Sequence, residues 1–226
     1  MVQVDIQCGP AFAYGTITLP PGGAVEVEAG AMASMTGGVE IATASRGGVL
    51  GGLKRSVLGG ESFFINTFTA ASGGTVSVAA KLPGDLVHMP LDGAQNLMVQ
   101  SGSWIASDPA IDVDTKWGGA KTFFGGEGLF LLRCTGQGDM LVSSYGAMLA
   151  QEIPAGTTYV VDTGHVVAFP EGMTYEVHKA GNWKSAILGA EGLVTEFTGP
   201  GRVWLQTRSP QDLIGWLSAN MPANRN

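Results

Sequence analysis

A short glycine–glutamate step, GGESFF, occupies residues 59–64, and it returns as GGEGLF at 125–130 and as GAEGLV at 189–194. The three glutamates of these steps are separated by 66 and 64 residues. Self-similarity at a fixed spacing is the sequence signature of repeated structural units. The chain of 226 residues is therefore predicted to contain three copies of one unit of about 65 residues.

Each step leads into the same local pattern, in which two apolar runs flank a short glycine-rich turn. Such a pattern is typical of a β-hairpin, so one hairpin is predicted in each repeat. The paired runs are 61–69 with 75–82, 127–135 with 136–146, and 191–198 with 202–208. Upstream of each step a less regular pair of strands is predicted, centred on Gly30, Gly102 and Gly164.

The predicted organisation is a single compact β entity over residues 1–226, with repeats at about 1–83, 84–150 and 151–208. One such unit would expose too much apolar surface to be stable alone, so the copies are expected to pack together around a pseudo-threefold axis. The fold class that follows from these patterns is all-β, with tight glycine turns and one short helix at the C-terminal end.

That helix is predicted over residues 209–221. Ser209 is suited to cap its N-terminus, Pro210 fits the first helical position, and Asp212 complements the helix dipole. The apolar side chains expected to dock this helix on the β body are Leu213, Ile214, Trp216 and Leu217.

The composition excludes several classes of protein. Hydrophobic residues make up 45% of the chain and charged residues only 14%, which argues against a disordered chain. A formal net charge of -7 repels phosphate backbones, so no nucleic-acid partner is predicted. The first residues lack the pattern of a secretory signal or a transit peptide, and no apolar run is long enough to span a membrane, so a cytoplasmic protein is expected.

The chain resembles the altered-inheritance-of-mitochondria family, whose members are mostly uncharacterised. Several long motifs carry the resemblance in the right order and together cover nearly the whole chain. They are GAMASM at 30–35, GGLKRSVLGGESFFINTF at 51–68, GGEGLFLL at 125–132, GHVVAF at 164–169 and EGLVTEFTGPGRVWLQTR at 191–208.

The resemblance implies a fold similar to the tryptophan RNA-binding attenuator protein, an all-β arrangement of double-stranded β-helix or β-sandwich type. It does not carry RNA binding to this acidic chain, and it brings no catalytic residues. Mitochondrial members of the family are linked to inner-membrane organisation. The resemblance therefore implies membership of a family associated with mitochondrial biogenesis.

Each repeat also contains a glycine-rich loop with a lysine and large apolar side chains just before its glutamate. If a pseudo-threefold axis gathers these loops at one end, they would form an apolar, weakly basic patch for a protein or a membrane surface. The alternative interpretation is that they cap the end of the β core. The candidate patch consists of Lys54, Lys121, Lys184, Trp117, Phe123, Phe124 and Trp183.

No catalytic or metal-binding motif is recognised, and no cofactor is predicted. The histidines, His88, His165 and His178, lack the close spacing of metal ligands. The glutamates of the three steps, Glu61, Glu127 and Glu191, are interpreted as acceptors of backbone hydrogen bonds at strand entries. The two cysteines, Cys8 and Cys134, are interpreted as small apolar core residues.

The leading functional hypothesis is a non-enzymatic interaction or scaffold protein that acts through a rigid β body and forms homo-oligomers. The alternative is a small-ligand binding module with a pocket within or between repeats. A cleft lined by Trp104, His165 and Tyr175 would favour that alternative. A metal-dependent enzyme of cupin type would require two histidines and a carboxylate to converge.

Overall fold

The computed structural model describes residues 3–43, 64–114, 130–179 and 192–221. Within these ranges the chain forms twenty β-strands, one 3₁₀ turn at Thr163–His165 and one α-helix, α1, at Pro210–Asn220. The strands of the first half are β1 (Gln3–Gln7), β2 (Tyr14–Leu19), β3 (Gly23–Glu28), β4 (Met32–Met35), β5 (Val39–Thr43), β6 (Ile65–Ala70), β7 (Gly74–Ala79), β8 (Leu86–His88), β9 (Leu91–Asp92) and β10 (Leu97–Gln100). Those of the second half are β11 (Trp104–Ser107), β12 (Ile111–Asp114), β13 (Leu131–Gly138), β14 (Met140–Ser143), β15 (Met148–Ile153), β16 (Thr158–Asp162), β17 (Val166–Pro170), β18 (Thr174–Lys179), β19 (Leu193–Thr198) and β20 (Gly201–Gln206).

The described strands form four antiparallel sheets. Two are large, with the orders β12-β13-β10-β17-β20-β15 and β5-β6-β3-β11-β14-β8, and β9 adds to the first of them beside β13. The other two are smaller, with the orders β1-β2-β7-β4 and β16-β19-β18. The all-β class predicted from the sequence is therefore confirmed.

The same pairing order occurs three times along the chain. One kind of strand trio, the A-trio, is β5-β6-β3, β12-β13-β10 and β18-β19-β16. A second kind, the B-trio, is β4-β7-β2, β11-β14-β8 and β17-β20-β15. The repeat limits given above stay a prediction, and the limit at 150/151 falls inside β15.

The predicted hairpins are wrong, because the two strands on either side of each glycine turn belong to different sheets. After β6, the turn at Gly73 has a φ of 82° and directs the chain into the sheet that contains β7. β6 pairs with β3 and β5, whereas β7 pairs with β2 and β4. The pairs β13/β14 and β19/β20 are divided in the same way. A glycine turn thus bends the chain from an A-trio into a B-trio instead of folding it back on itself.

Among the described residues, three clusters of buried apolar side chains fill the space between the sheets. The first lies mainly under β2, β3, β6 and β7, and includes Phe68. The second contains Trp104, and its buried members all lie between Met89 and Ala168 in the sequence. The third contains Phe169 and Phe197, whose rings meet edge-on with centroids 5.1 Å apart. Met98 and Leu131 of the central A-trio belong to the third cluster, so the clusters interlock through shared strands.

The C-terminal helix is confirmed, with the predicted cap. The Ser209 side chain accepts a hydrogen bond from the backbone N–H of Asp212, and Pro210 is the first helical residue. The predicted docking of its apolar face is wrong: no residue of α1 is buried, and Trp216 is 62% exposed. Its first turns approach the β body, where Pro210 and Ile214 line a pocket described below. No helix of the described residues is long and apolar enough to cross a membrane.

Candidate functional site

Two junctions join A-trios to B-trios within the large sheets. β10 pairs with β17, with Met98 opposite Phe169, and β3 pairs with β11, with Glu26 opposite Ser107. In the first junction the backbone N–H of Glu171 donates to the carbonyl of Asn96 at 3.0 Å. Hydrogen-bonded pairs alternate along an antiparallel ladder, so the backbone groups of Met98 and Phe169 also bond to each other.

Among the described strands, the corresponding third junction is not formed. The A-trio edge strand β16 and the B-trio edge strand β4 belong to separate sheets, and each pairs with one neighbour only among the described strands. Met98, Glu26 and Val160 each precede by four residues the central glycine of their turn, Gly102, Gly30 and Gly164. Met98 is 0% exposed and Glu26 is 6% exposed, whereas Val160 is 54% exposed.

The same contrast holds on the B-trio side. Phe169, Ser107 and Met35 each follow the central glycine of their turn by five residues. Phe169 and Ser107 are buried, whereas Met35 is 39% exposed. Val160 and Met35 therefore hold the positions that face each other in the two closed junctions, but neither is covered.

The backbone of both open edges is oriented to accept another strand. The N–H of Gly199 donates to the carbonyl of Thr157, which places the inward hydrogen bonds of β16 at every second residue from there. By this alternation the N–H and C=O of Val160 point away from β19. The N–H of Thr36 donates to the carbonyl of Thr75, so the same alternation points the backbone groups of Met35 away from β7.

A pocket of about 320 Å³ lies at the end of the sheets where β3, β10, β14 and β20 finish. Residues from all three predicted repeats line this pocket. The turn 100–103 contributes one wall, Ser143, Ser144 and Gln206 a second, and α1 the rim. The pocket is therefore built by strand ends that lie far apart in the sequence.

Hydrogen bonds orient most of the polar groups around this pocket. The hydroxyl of Ser103 donates to Oε1 of Gln100 at 3.1 Å. Gln206 accepts a hydrogen bond from the backbone N–H of Tyr145 at 2.9 Å and donates to the carbonyl of Gly164 at 2.8 Å. These bonds fix two buried glutamine side chains at the junction of the three parts of the chain.

One buried donor remains. Gln100 is 2% exposed, and its Nε2 has no hydrogen-bond partner within the part of the chain that the structure describes. At the mouth of the pocket, Lys81 Nζ lies 2.6 Å from Glu28 Oε1, so the two charges cancel there. The apolar part of the wall consists of Leu82, Phe130, Pro210 and Ile214.

The predicted interaction patch and the three step glutamates lie outside the described residues. The patch residues are Lys54, Lys121, Lys184, Trp117, Phe123, Phe124 and Trp183, and the glutamates are Glu61, Glu127 and Glu191. The prediction that these lysine loops form a patch therefore stays a prediction.

The cleft proposed from Trp104, His165 and Tyr175 is not formed. Trp104 is fully buried in the second core cluster, and Tyr175 packs on Phe169 beside the third. His165 Nδ1 lies 2.7 Å from the backbone oxygen of Gln206, and none of the three residues lines the pocket.

The three histidines lie apart. His88 Nε2 lies 2.8 Å from Asp139 Oδ1, and His178 is on the exposed face of β18. No group of three metal-ligating side chains occurs within the described ranges.

The two cysteines differ. Cys134 is buried as predicted, and this burial raises the pKa of its thiol to about 12. The prediction is wrong for Cys8, which is exposed in the turn after β1 with a φ of 59°.

Sequence reasoning missed Gln100, Ser103 and Gln206. A polar residue at the end of an otherwise apolar strand, as in LMVQ at 97–100, is the only local signal of a buried amide there. That signal is the same for a strand end in solvent and for a strand end that is buried. Gln206, which lies at the same pocket, is more than a hundred residues further along the chain.

These features define a class: an all-β protein of interleaved antiparallel sheets, without a recognised catalytic constellation in its described part. A family model described as mitochondrial biogenesis AIM24 matches residues 4–208. The chain belongs to this family, as its motifs predicted.

Similar proteins are known from Streptococcus pyogenes. An uncharacterised protein of serotype M6 is 28% identical over 223 residues, covering 95% of this chain and 89% of that protein. The crystal structure of a protein from the same species has a TM-score of 0.81 at 26% identity and covers 98% of this chain and 100% of its own. The likeness to the tryptophan RNA-binding attenuator protein stays a prediction.

Proposed function

We propose that the protein is a non-enzymatic scaffold that self-associates by pairing β16 of one copy with β4 of another. The observation that carries the proposal is the pair of open edges at the positions that two other junctions use internally. Each copy then offers one A-trio edge and one B-trio edge, and each edge has its complement on every other copy.

The register of the contact follows from the two closed junctions. Because Met98 lies opposite Phe169 and Glu26 opposite Ser107, Val160 of one copy is expected opposite Met35 of another. The outward backbone groups of both residues would then exchange hydrogen bonds, and their exposed side chains would be covered. An uncovered strand edge carrying apolar side chains is a ready template for such pairing.

The number of copies depends on how the contacts close. If two copies pair through both edges at once, a twofold dimer forms; if each copy pairs with two different neighbours, a ring or filament forms. In either case the acidic β body would serve as a rigid element of an assembly, which is the role of a scaffold.

Disulfide trapping tests this register. In a Cys8→Ser background, one sample carries Val160→Cys and a second carries Met35→Cys. Directly opposed strand residues are about 5.5 Å apart at Cα, within the range that a disulfide spans. After mixing and mild oxidation, the expected product is a covalent dimer that contains one copy of each variant, identified by non-reducing electrophoresis and intact mass.

A matched control replaces Met35→Cys with Ile41→Cys. Ile41 is 44% exposed on the edge strand β5, which has no complementary position in the proposed contact, so little mixed dimer is expected. The proposal is wrong if the control cross-links as well as the test pair. It is also wrong if the double variant Val160→Cys/Met35→Cys forms only an internal disulfide, since the two edges then meet within one copy.

A second measurement needs no cross-link. Native mass spectrometry and light scattering should show the wild type associating, and Val160→Lys should weaken association at least about tenfold, because a lysine ammonium on a strand edge resists strand addition. A wild type that stays monomeric at high micromolar concentration would overturn the proposal.

A further inference from the structure

We infer that the pocket beside Gln100 binds a small neutral molecule that presents a hydrogen-bond acceptor, a carbonyl oxygen, on an apolar body. This site is separate from the strand edges proposed for self-association, since neither β4 nor β16 contributes to its lining. The inference rests on one unsatisfied donor, on the local charge and on the character of the walls.

The donor is the side-chain amide of Gln100. Its oxygen is already occupied by the hydroxyl of Ser103, and its nitrogen has no partner in the described part of the chain. A buried polar group without a partner is costly, and native structures rarely retain one without a reason. Because an N–H group donates, the missing partner is an acceptor.

The charges of the described lining favour a neutral ligand over a strongly charged one. Glu28 and Lys81 form the ion pair at the pocket, and the other polar side chains of the described lining are the amides of Gln100 and Gln206, the phenol of Tyr145 and the serine hydroxyls. Among the described lining residues, Lys81 is the one positive group, and it is already paired with Glu28. A buried charge without a partner would be expensive, so a neutral ligand fits this lining.

The walls supply the remaining recognition. Leu82, Phe130 and Ile214 add apolar surface to the lining, beside the polar turn at 100–103. A volume of about 320 Å³ lies at the lower end of the roughly 300–1,000 Å³ of small-molecule sites. An apolar body with one carbonyl oxygen matches this division into an apolar wall and a single buried donor.

Four probes of similar shape separate the possibilities. Benzamide is neutral and has a carbonyl acceptor, benzoate is an anion, benzylammonium is a cation, and toluene has no acceptor. Binding of each to the full chain is measured by ¹⁵N–¹H NMR titration at millimolar concentration. The side-chain NH₂ signals of Gln100 are identified by their loss in Gln100→Met. Benzamide is expected to bind most tightly and to shift these signals.

Two variants and a control make the result specific. Gln100→Met keeps the side-chain length and removes the donor, so it should weaken benzamide binding about tenfold or more while toluene binding is unchanged. Ile214→Lys changes an exposed position of α1 and should weaken both probes. Gln137→Met, on the exposed part of β13, is the matched control and should change neither.

Each outcome of the titrations either supports the inference or overturns it. Tightest binding of benzamide with loss in Gln100→Met supports the inference. Tighter binding of benzoate or benzylammonium, no binding of any probe, or equal benzamide binding by wild type and Gln100→Met would each overturn it. If Gln100→Met does not fold, the order of affinities of the wild type for the four probes and the effect of Ile214→Lys still decide.

Discussion

Corresponding positions of the chain are buried in the β10–β17 junction but exposed on the open edges of β16 and β4. In the junction, Met98 and Phe169 face each other and are fully buried. At the open edges, Val160 and Met35 hold the same positions relative to their turn glycines and remain exposed. The comparison teaches that a strand position becomes part of the core through its partner strand, and β16 and β4 lack that second partner among the described strands.

The largest expected effect comes from truncating corresponding side chains at the two places. Met98→Ala should lower the free energy of unfolding by about 2–5 kcal/mol, because it removes a fully buried side chain and leaves a cavity. Val160→Ala should change it by less than about 0.5 kcal/mol in the monomer. Urea denaturation of both variants at low protein concentration measures the contrast.

Equal losses in the two variants would break the comparison, since Val160 would then be covered in solution. Repeating the denaturation at high protein concentration tests whether self-association covers Val160. If self-association buries Val160, the cost of Val160→Ala should rise with concentration while that of Met98→Ala stays constant.

A smaller effect concerns how β16 is held on its inner side. Thr163, directly after β16, and Thr195 of β19 are both 0% exposed and share a hydrogen bond of 3.0 Å between their hydroxyls. Thr195→Val should destabilise the protein by about 1–3 kcal/mol, because the Thr163 hydroxyl is left buried without that partner.

The control is Thr158→Val at the exposed start of β16, which should have an effect within about 0.5 kcal/mol. Thermal unfolding of both variants measures the difference. A loss in Thr158→Val as large as that in Thr195→Val would mean that the outer side of β16 is also packed, contrary to the open edge.

The elements that depend on neighbouring residues could be predicted from the sequence. Ser209 and Pro210 identify the start of α1 because capping acts within one turn of helix. Gly30, Gly102 and Gly164 were predicted as centres of strand pairs, and each lies in the turn between two strands. The run 61–69 was likewise predicted as a strand, and its described part contains β6.

The choice of strand partner could not be predicted. β6 and β7 are separated by three residues, yet β6 pairs with β3 and β5, and β7 pairs with β2 and β4. The pocket was missed for the same reason. Gln100 becomes a buried donor only when Ser143 and Gln206, from distant strands, close around it. Such burial is a property of long-range packing and leaves little trace in local pattern.

The smallest expected effect is a pH dependence located at the closed junction. Glu171, directly after β17, accepts hydrogen bonds from Arg133 of β13 at 2.6 and 3.1 Å and from Asn96, which precedes β10, at 2.8 Å. These bonds, from Arg133 first and then from Asn96, lower the pKa of the Glu171 carboxyl. A carboxylate with a lowered pKa in the folded state stabilises the protein above its unfolded pKa of about 4.3, and this contribution is lost as the pH falls through the folded value.

Glu171→Gln should therefore cost about 1 kcal/mol at pH 7, since both partners are partly exposed and solvent screens the pair. The difference from wild type should shrink toward zero once the pH lies below the lowered pKa, and added salt should reduce it. Glu152→Gln is the control, because Glu152 and Arg202 form an ion pair more than half exposed on β15 and β20. The same pH-dependent loss in both variants would show that the Glu171 side chain does not stabilise the contact of β13 and β10 with β17. Main-chain pairing and side-chain burial alone would then distinguish the closed junction from the open edge.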